Sequence, residues 1–218
     1  MSMQFYGHPF SSYCQKVLIA LYEHAIPFEW RVLADDAQIQ AEFSALWPIR
    51  RFPLLLGDGR PIMESSIIIE YLDTRHAGST RLLPADADAA LEVRFMDRFF
   101  DNYVMSPQQR VVFNALRPAD RRDAFGVDEA RAQLDTSYRW LEQALRDRQW
   151  AAGDAFSLAD CAAAPALFYA DWTHPIDRAF PTVRGYRQRL LERPSFARAV
   201  DEARPYRPLF PLGAPDRD

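Results

Sequence analysis

The chain is poor in lysine and cysteine and has no long apolar run. The scarcity of cysteine and the absence of a long apolar run each exclude a class of protein. Two cysteines, Cys14 and Cys161, cannot build a disulfide framework, so we expect free thiols. No histidine and cysteine residues have the spacing of a metal site, and no glycine-rich loop is present to hold a phosphate. No stretch resembles a transmembrane helix or a secretion signal. We therefore expect a cytoplasmic globular protein.

The charge balance indicates nothing about a charged partner. Lys16 is the sole lysine, so the basic charge comes almost entirely from arginine, and the formal net charge is −4. That charge gives no reason to expect nucleic acid or an anionic membrane as a partner. With 49% hydrophobic and 26% charged residues, the 218-residue chain is typical of globular proteins and long enough for one domain or two.

The first 76 residues alternate predicted strands and helices. Ile26-Pro27 ends the first helix, because proline cannot donate the next helical hydrogen bond. Gly57-Asp58-Gly59 predicts a tight hairpin turn. The predicted strands are 3–6, 28–33, 53–56 and 60–63, and the predicted helices are 12–25, 35–46 and 67–72. This order, β-α-β-α-β-β-α, is that of a thioredoxin-like α/β domain.

The rest of the chain has the pattern of helices. Residues 77–88 predict a linker, and residues 89–218 an all-helical domain, with the Pro-rich tail after Arg204 extended. Ser106-Pro107 predicts a kink, and Ser157 with Asp160 predicts a reciprocal capping box that we assign to folding. The predicted helices are 91–116, 128–148, 158–169, 182–191 and 195–203.

The stretch from Pro9 to Val17 connects the first strand to the first helix. Free N–H groups and the positive end of the dipole at a helix N-terminus favour a nucleophile or an anion. Taken alone, Ser11 or Ser12 is equally explained as a helix cap.

Four separated motifs give the chain a resemblance to the cytosolic glutathione S-transferases. The motifs are Pro9 to Val17, Phe52-Pro53-Leu54, Glu64-Ser65-Ser66, and Phe156-Ser157-Leu158-Ala159-Asp160. The resemblance implies that the thioredoxin-like domain binds glutathione as co-substrate, with no prosthetic group and no metal. It also implies a helical domain that binds a second substrate, a homodimer, and a role in detoxification.

The resemblance also implies roles for individual residues. In serine-type classes, the serine at the position of Ser11 donates a hydrogen bond to the glutathione sulfur and stabilises the thiolate. Ser12 is the second candidate and Tyr6 the third, because other classes use a tyrosine near the end of the first strand. The family carries its cysteine nucleophile at the position of Ser11, so we expect Cys14 to be buried and inert.

Other motif positions imply how glutathione is held. Phe52-Pro53 matches the cis-proline step whose backbone pairs with the cysteinyl part of glutathione. Glu64 and Ser65 match the pair that binds the γ-glutamyl ammonium and carboxylate groups. Around Arg50 and Arg51 the sequence departs from the family pattern. Arg51 is the candidate for the glycyl carboxylate, and the choice between the two arginines stays open.

The second-substrate pocket is predicted only from apolar character and position, and its candidates are Phe10, Tyr103, Met105, Phe113 and Trp172. We expect conjugation of glutathione to an electrophilic, mainly apolar small molecule. The alternatives are a zeta-like isomerase, a cysteine-dependent reductase, and a binding protein that keeps the fold without turnover.

Overall fold

The computed structural model describes residues 3–34, 36–76 and 81–218. The N-terminal part contains four strands and three helices in the predicted order, which confirms the thioredoxin-like domain. Its elements are β1 (Met3–Gly7), α1 (Ser12–Glu23), β2 (Phe28–Val32), α2 (Ala37–Leu46), β3 (Leu54–Gly57), β4 (Arg60–Met63) and α3 (Ser65–Arg75). The predicted start of α2 at Asp35 lies outside the described residues, and Asp36 caps the helix by accepting from Gln38 and Ile39.

The sheet has the strand order β2-β1-β3-β4. The pair β1 and β2 is parallel, and β3 pairs antiparallel with both β1 and β4. The hairpin forms where predicted, with Asp58 at φ 50° and Gly59 at φ 75° in its turn. These positive φ angles are those that a two-residue hairpin turn requires.

The remaining described residues form helices joined by turns and loops, which confirms the all-helical second domain. Its elements are α4 (Ala87–Phe99), a π-helical segment (Phe100–Met105), α5 (Ser106–Ala115), α6 (Ala124–Ala144), α7 (Leu158–Thr173), α8 (Pro181–Leu191) and α9 (Pro194–Ala203), with 3-10 turns at Ala119–Arg121 and Arg204–Leu209.

Three predictions for this half need correction. The helix predicted over 91–116 is interrupted, since the π-helical segment replaces regular α-helix just before the predicted kink at Ser106-Pro107. The linker predicted over 77–88 ends earlier, because α4 begins at Ala87; its residues 77–80 lie outside the described residues. The tail after Arg204 is not extended, since Arg204–Leu209 forms a 3-10 helix.

The two halves share one apolar core. Helix α1 packs against α3 of its own domain and against α7 and α9 of the other. Every residue of α7 is buried, as predicted, and Asp160 accepts the Ser157 N–H at 2.9 Å in the predicted cap. None of the helices in the described ranges is long and apolar enough to cross a bilayer.

Candidate active site

The candidate glutathione residues converge at one end of the sheet. Tyr6 at the carboxyl end of β1 pairs with Leu54, and Leu54 pairs with Met63. The same end of the sheet therefore carries the loop after β1, the Phe52-Pro53 step before β3 and Glu64 after β4. The strand register thus unites three motifs that are widely separated in sequence.

Ser11 is the N-cap of α1 and also lines a cavity of about 400 Å³ between the two domains. Its Oγ accepts a hydrogen bond from the Cys14 backbone N–H at 3.4 Å. A hydroxyl has one donor and two acceptor lone pairs, so this bond uses an acceptor lone pair and not the O–H. Capping and sulfur binding are therefore compatible in one side chain.

The two other hydroxyl candidates differ in their position. Ser12 lines the same cavity but is only 8% exposed. Tyr6, the third candidate, does not line this cavity. Its ring stacks on Phe43, and its hydroxyl donates to Gln4 Oε1 at 3.2 Å, on the side of the sheet that faces α2. Burial and the Glu42 carboxylate raise the pKa of Tyr6, so this phenol stays protonated.

The Phe52-Pro53 peptide bond is cis, as predicted, and Phe52 lines the cavity with Ser11. Arg50 and Arg51 are both exposed, and neither forms an ion pair with a described acid. Arg50 has a positive φ of 57°. Both guanidinium groups are therefore available to a carboxylate ligand.

Glu64 and Ser65 lie at the N-terminus of α3. Glu64 has φ 68°, a conformation that is rare for residues other than glycine, and its side chain is exposed without a capping bond. Ser65 is buried and begins the helix. Free N–H groups at this end of α3 favour an anionic ligand.

A buried charge cluster holds the start of α3. Lys16 is 1% exposed, and its Nζ lies 2.6 Å from Asp97 Oδ1 and 2.8 Å from Asp101 Oδ2. It also donates to Ser66 Oγ at 2.9 Å, and Arg98 pairs with both acids. Burial raises the pKa of Asp101, while Lys16 opposes that rise. The cluster ties α1 and α4 to the turn that carries Ser65.

The cavity lining includes two of the five residues predicted for the second-substrate pocket. Phe10 and Phe113 face the cavity, but Tyr103, Met105 and Trp172 do not. Met105 is 2% exposed within the core, and Tyr103 packs on Phe99 at a ring distance of 5.3 Å. Trp172 lies behind Phe10, 6.5 Å from its ring.

Several lining residues were missed by the sequence analysis. They come from the loop after β1, from α5 and its C-terminal end, from α7 and from the tail, and are His8, Gln108, Gln109, Val112, Leu116, Tyr169, Leu209, Phe210 and Pro211. The tail covers the cavity because its 3-10 turn brings Phe210 against Phe10 and Trp172. The apolar run Leu209-Phe210-Pro211 was the available signal.

Cys14 is fully buried, as expected, and burial raises the pKa of its thiol to about 12. Its Sγ accepts the His8 backbone N–H at 3.4 Å. Cys161 is also buried and free. Neither thiol has the electropositive, exposed surroundings of a reactive cysteine.

Comparison with known proteins agrees with this geometry. Residues 5–80 match the family model for the N-terminal domain of glutathione S-transferases, and residues 104–194 match that for the C-terminal domain. Glutathione S-transferase 3 of Zea mays is 30% identical over 91% of this chain and 93% of its own length. Glutathione S-transferase GstB of Escherichia coli is 27% identical over 89% of this chain and 96% of its own length.

Solved structures of this kind contain the expected ligand. A glutathione S-transferase from Methylobacillus flagellatus with glutathione bound superposes with a TM-score of 0.83 at 25% identity, covering 91% of this chain and 98% of its own. One from Methylobacterium radiotolerans, in complex with glutathione sulfonate, has a TM-score of 0.78 at 30% identity, covering 92% and 95%. The chain belongs to the glutathione S-transferase family.

Proposed function

We propose that the protein activates glutathione as a thiolate with the Ser11 hydroxyl and transfers it to an apolar electrophile in the interdomain cavity. One observation carries the proposal: the Ser11 side chain lines the cavity while its Oγ accepts the Cys14 N–H, which leaves the O–H to donate. The N-terminus of α1 adds the positive end of its dipole at the same point.

Ionising the glutathione thiol at neutral pH requires only a modest lowering of its pKa. A thiol with a pKa of about 8.5 is only a few per cent ionised at pH 7, and lowering that pKa by about two units ionises most of it. One charge-assisted hydrogen bond contributes about 1.5–3 kcal/mol, which covers a shift of this size. Ser11 and the helix dipole are therefore sufficient without a second acid or base.

The apolar lining supports an apolar second substrate. Phe10, Val112, Phe113 and Phe210 are among the apolar residues that line the cavity with Ser11. In the same proposal Glu64 binds the γ-glutamyl ammonium group, Ser65 with the α3 N-terminus binds its carboxylate, and the Phe52 backbone pairs with the cysteinyl part. Arg51 is the proposed partner of the glycyl carboxylate.

The test is the pH dependence of conjugation to a chromogenic aryl halide. Removing the Ser11 hydroxyl is expected to lower kcat/KM about 20-fold near pH 7 and by less than twofold near pH 9, where the free thiol ionises unaided. Ser11→Gly is the matched partner of Ser11→Ala, because glycine at an N-cap costs only a few tenths of a kcal/mol. Ser12→Ala should retain activity.

Two results would reject the proposal. A pH-independent loss would mean that Ser11 acts only as a cap. Glutathione binding by calorimetry without turnover on a panel of electrophiles would instead favour a binding protein. The buried thiol of Cys14 and a serine at position 11 argue against the reductase alternative.

The proposal includes a cytoplasmic homodimer. Leu91, Phe95 and Trp140 form an exposed apolar patch on α4 and α6, where the Phe95 and Trp140 rings lie 5.8 Å apart. Exposed apolar patches of this kind mark interaction surfaces. Light scattering should give twice the chain mass, and Phe95→Glu should reduce it; a monomeric wild-type protein would contradict this part.

A further inference from the structure

His8 is a polar residue in the cavity that no motif assigned. It follows β1 directly, and its backbone is held on both sides: its carbonyl accepts the Ser11 N–H at 3.0 Å, and its N–H donates to Cys14 Sγ at 3.4 Å. The ring lines the cavity together with Ser11. The backbone bonds therefore fix the direction from which this ring enters the cavity.

The ring itself is also fixed. Nδ1 accepts the Phe10 backbone N–H at 3.1 Å, and the ring packs edge-on against Tyr206 with a centroid distance of 4.6 Å. A nitrogen that accepts a hydrogen bond carries no proton, so the neutral ring must carry its hydrogen on Nε2. Burial lowers the pKa of His8, which keeps the ring neutral. His8 thus presents Nε2–H as a fixed donor.

This donor has no partner within the described ranges, whereas two neighbouring polar groups of the cavity wall are hydrogen-bonded. The Tyr169 hydroxyl donates to the Phe10 carbonyl and accepts from Gln15 Nε2 at 3.0 Å. Gln108 Nε2 donates to Thr173 Oγ1 at 3.2 Å. Besides the two serines and the Gln109 amide, which also line the cavity, His8 therefore supplies a ring donor that remains for an oxygen atom of a ligand.

We infer that His8 Nε2–H donates a hydrogen bond to an oxygen atom of the second substrate, so that the site favours electrophiles whose reacting carbon is conjugated to a carbonyl group. This inference rests on the proposed transferase function and names its substrate class. The cavity walls bind the apolar part of such a molecule, and His8 orients its carbonyl group near the sulfur site at Ser11.

The chemistry explains why a donor is useful there. When the thiolate attacks the β-carbon, the S–C bond forms and the C=C π electrons move to give an enolate whose negative charge lies on the carbonyl oxygen. A proton from water then adds to the α-carbon and completes the thioether. A donor aimed at the oxygen binds the enolate more tightly than the ground-state carbonyl and so accelerates the attack.

The test compares two electrophiles in the wild type and two variants. The electrophiles are trans-4-phenylbut-3-en-2-one, which has the carbonyl, and benzyl chloride, which lacks it. His8→Phe keeps a ring against Tyr206 but removes the donor. His8→Asn keeps an acceptor for the Phe10 N–H and withdraws its donor from the cavity, because the side chain is shorter. Thermal unfolding checks that both variants fold.

In both variants kcat/KM for the enone is expected to fall about 10-fold more than kcat/KM for benzyl chloride, since a hydrogen bond to a developing charge contributes about 1.5–3 kcal/mol. An equal loss on both electrophiles would assign His8 a structural role only and overturn the inference. An unchanged enone rate, or full enone activity in His8→Asn, would also overturn it.

A binding experiment separates this inference from the transferase proposal. The unreactive ketone 4-phenylbutan-2-one and the hydrocarbon butylbenzene are titrated into protein saturated with S-methylglutathione. His8→Phe should weaken the ketone about 3- to 10-fold and leave the hydrocarbon unchanged. If the wild type turns over no electrophile, transferase function fails, and this binding difference alone decides whether His8 recognises the carbonyl. Equal ketone affinity in wild type and variant would reject it.

Discussion

Replacing Lys16 with methionine should cost about 3 kcal/mol of unfolding free energy. Lys16 is 1% exposed and is paired with Asp97 and Asp101, whose side chains are 2% and 9% exposed. Methionine fills a similar volume but leaves two carboxylates buried together. Breaking a buried pair by removing one partner costs about 3–5 kcal/mol. The lower end applies here because Arg98 still contacts both acids.

The loss should depend on pH. Burial already holds the pKa of Asp101 above its usual value, and Lys16 opposes that shift, so removing Lys16 raises the pKa further. A carboxyl whose pKa is higher in the folded than in the unfolded state stabilises the fold below the unfolded pKa, and that contribution is lost as pH rises through the folded pKa. The variant should therefore be least destabilised at acidic pH.

Urea unfolding followed by far-UV circular dichroism at about pH 5 and about pH 8 measures both effects. Arg98→Met is the matched control, because its guanidinium is half exposed and such pairs contribute about 0–1 kcal/mol. Adding Asp101→Asn to the Lys16 variant should recover part of the loss. A loss below 1 kcal/mol, or one independent of pH, would refute the reasoning.

Three further predictions concern buried contacts. Asp160→Ala should lower unfolding free energy by about 3 kcal/mol or more in urea titration, because Asp160 accepts the Tyr186 hydroxyl and two backbone N–H groups; a loss no larger than that of Tyr186→Phe would contradict this. Gly7→Ala should destabilise, because its Cβ would lie 2.5 Å from Cys14 Sγ, and adding Cys14→Ala should remove most of the penalty; additive losses in this double-mutant cycle would contradict the contact. Cys14 should resist iodoacetamide in the folded protein near pH 8 and react after unfolding, as read by mass spectrometry; rapid native alkylation would show an accessible thiolate.

Features with a local physical cause were predictable from the sequence. Helix α1 ends at Glu23, two residues before the predicted end ahead of Ile26-Pro27, and the glycine and aspartate at 57–59 make the hairpin turn. The cap at Ser157 followed from a motif a few residues long, whereas the cis bond at Phe52-Pro53 was implied by the resemblance to the family. Ser11 was predictable as a candidate because strand, turn and helix N-terminus are contiguous.

Features that depend on packing between distant segments were not predictable. Regular α-helix spacing cannot place Tyr103 and Met105, because the wider π-helical turns rotate the helix faces across Phe100–Met105. The tail contributes Phe210 to the cavity only through contacts with Phe10 and Trp172. The surroundings of the Tyr6 hydroxyl were not predictable either, because the strand pattern gives its face of the sheet but not the Gln4 and Glu42 oxygen atoms that lie within 3.4 Å of it.

The loop after β1 explains how the proposed donors are held before any ligand arrives. His8 accepts from Phe10 with its ring and from Ser11 with its carbonyl, and Ser11 accepts from Cys14. Cys14 Sγ accepts the His8 backbone N–H and completes this ring of hydrogen bonds. The buried thiol therefore stabilises the loop. The side chains of Ser11 and His8 both line the cavity. Each uses an acceptor to hold the loop and retains a donor hydrogen, the hydroxyl hydrogen of Ser11 and Nε2–H of His8. Because the same bonds fix both donors, their separation is set by the fold, and such preorganised donors need little reorganisation when charge develops on the substrate.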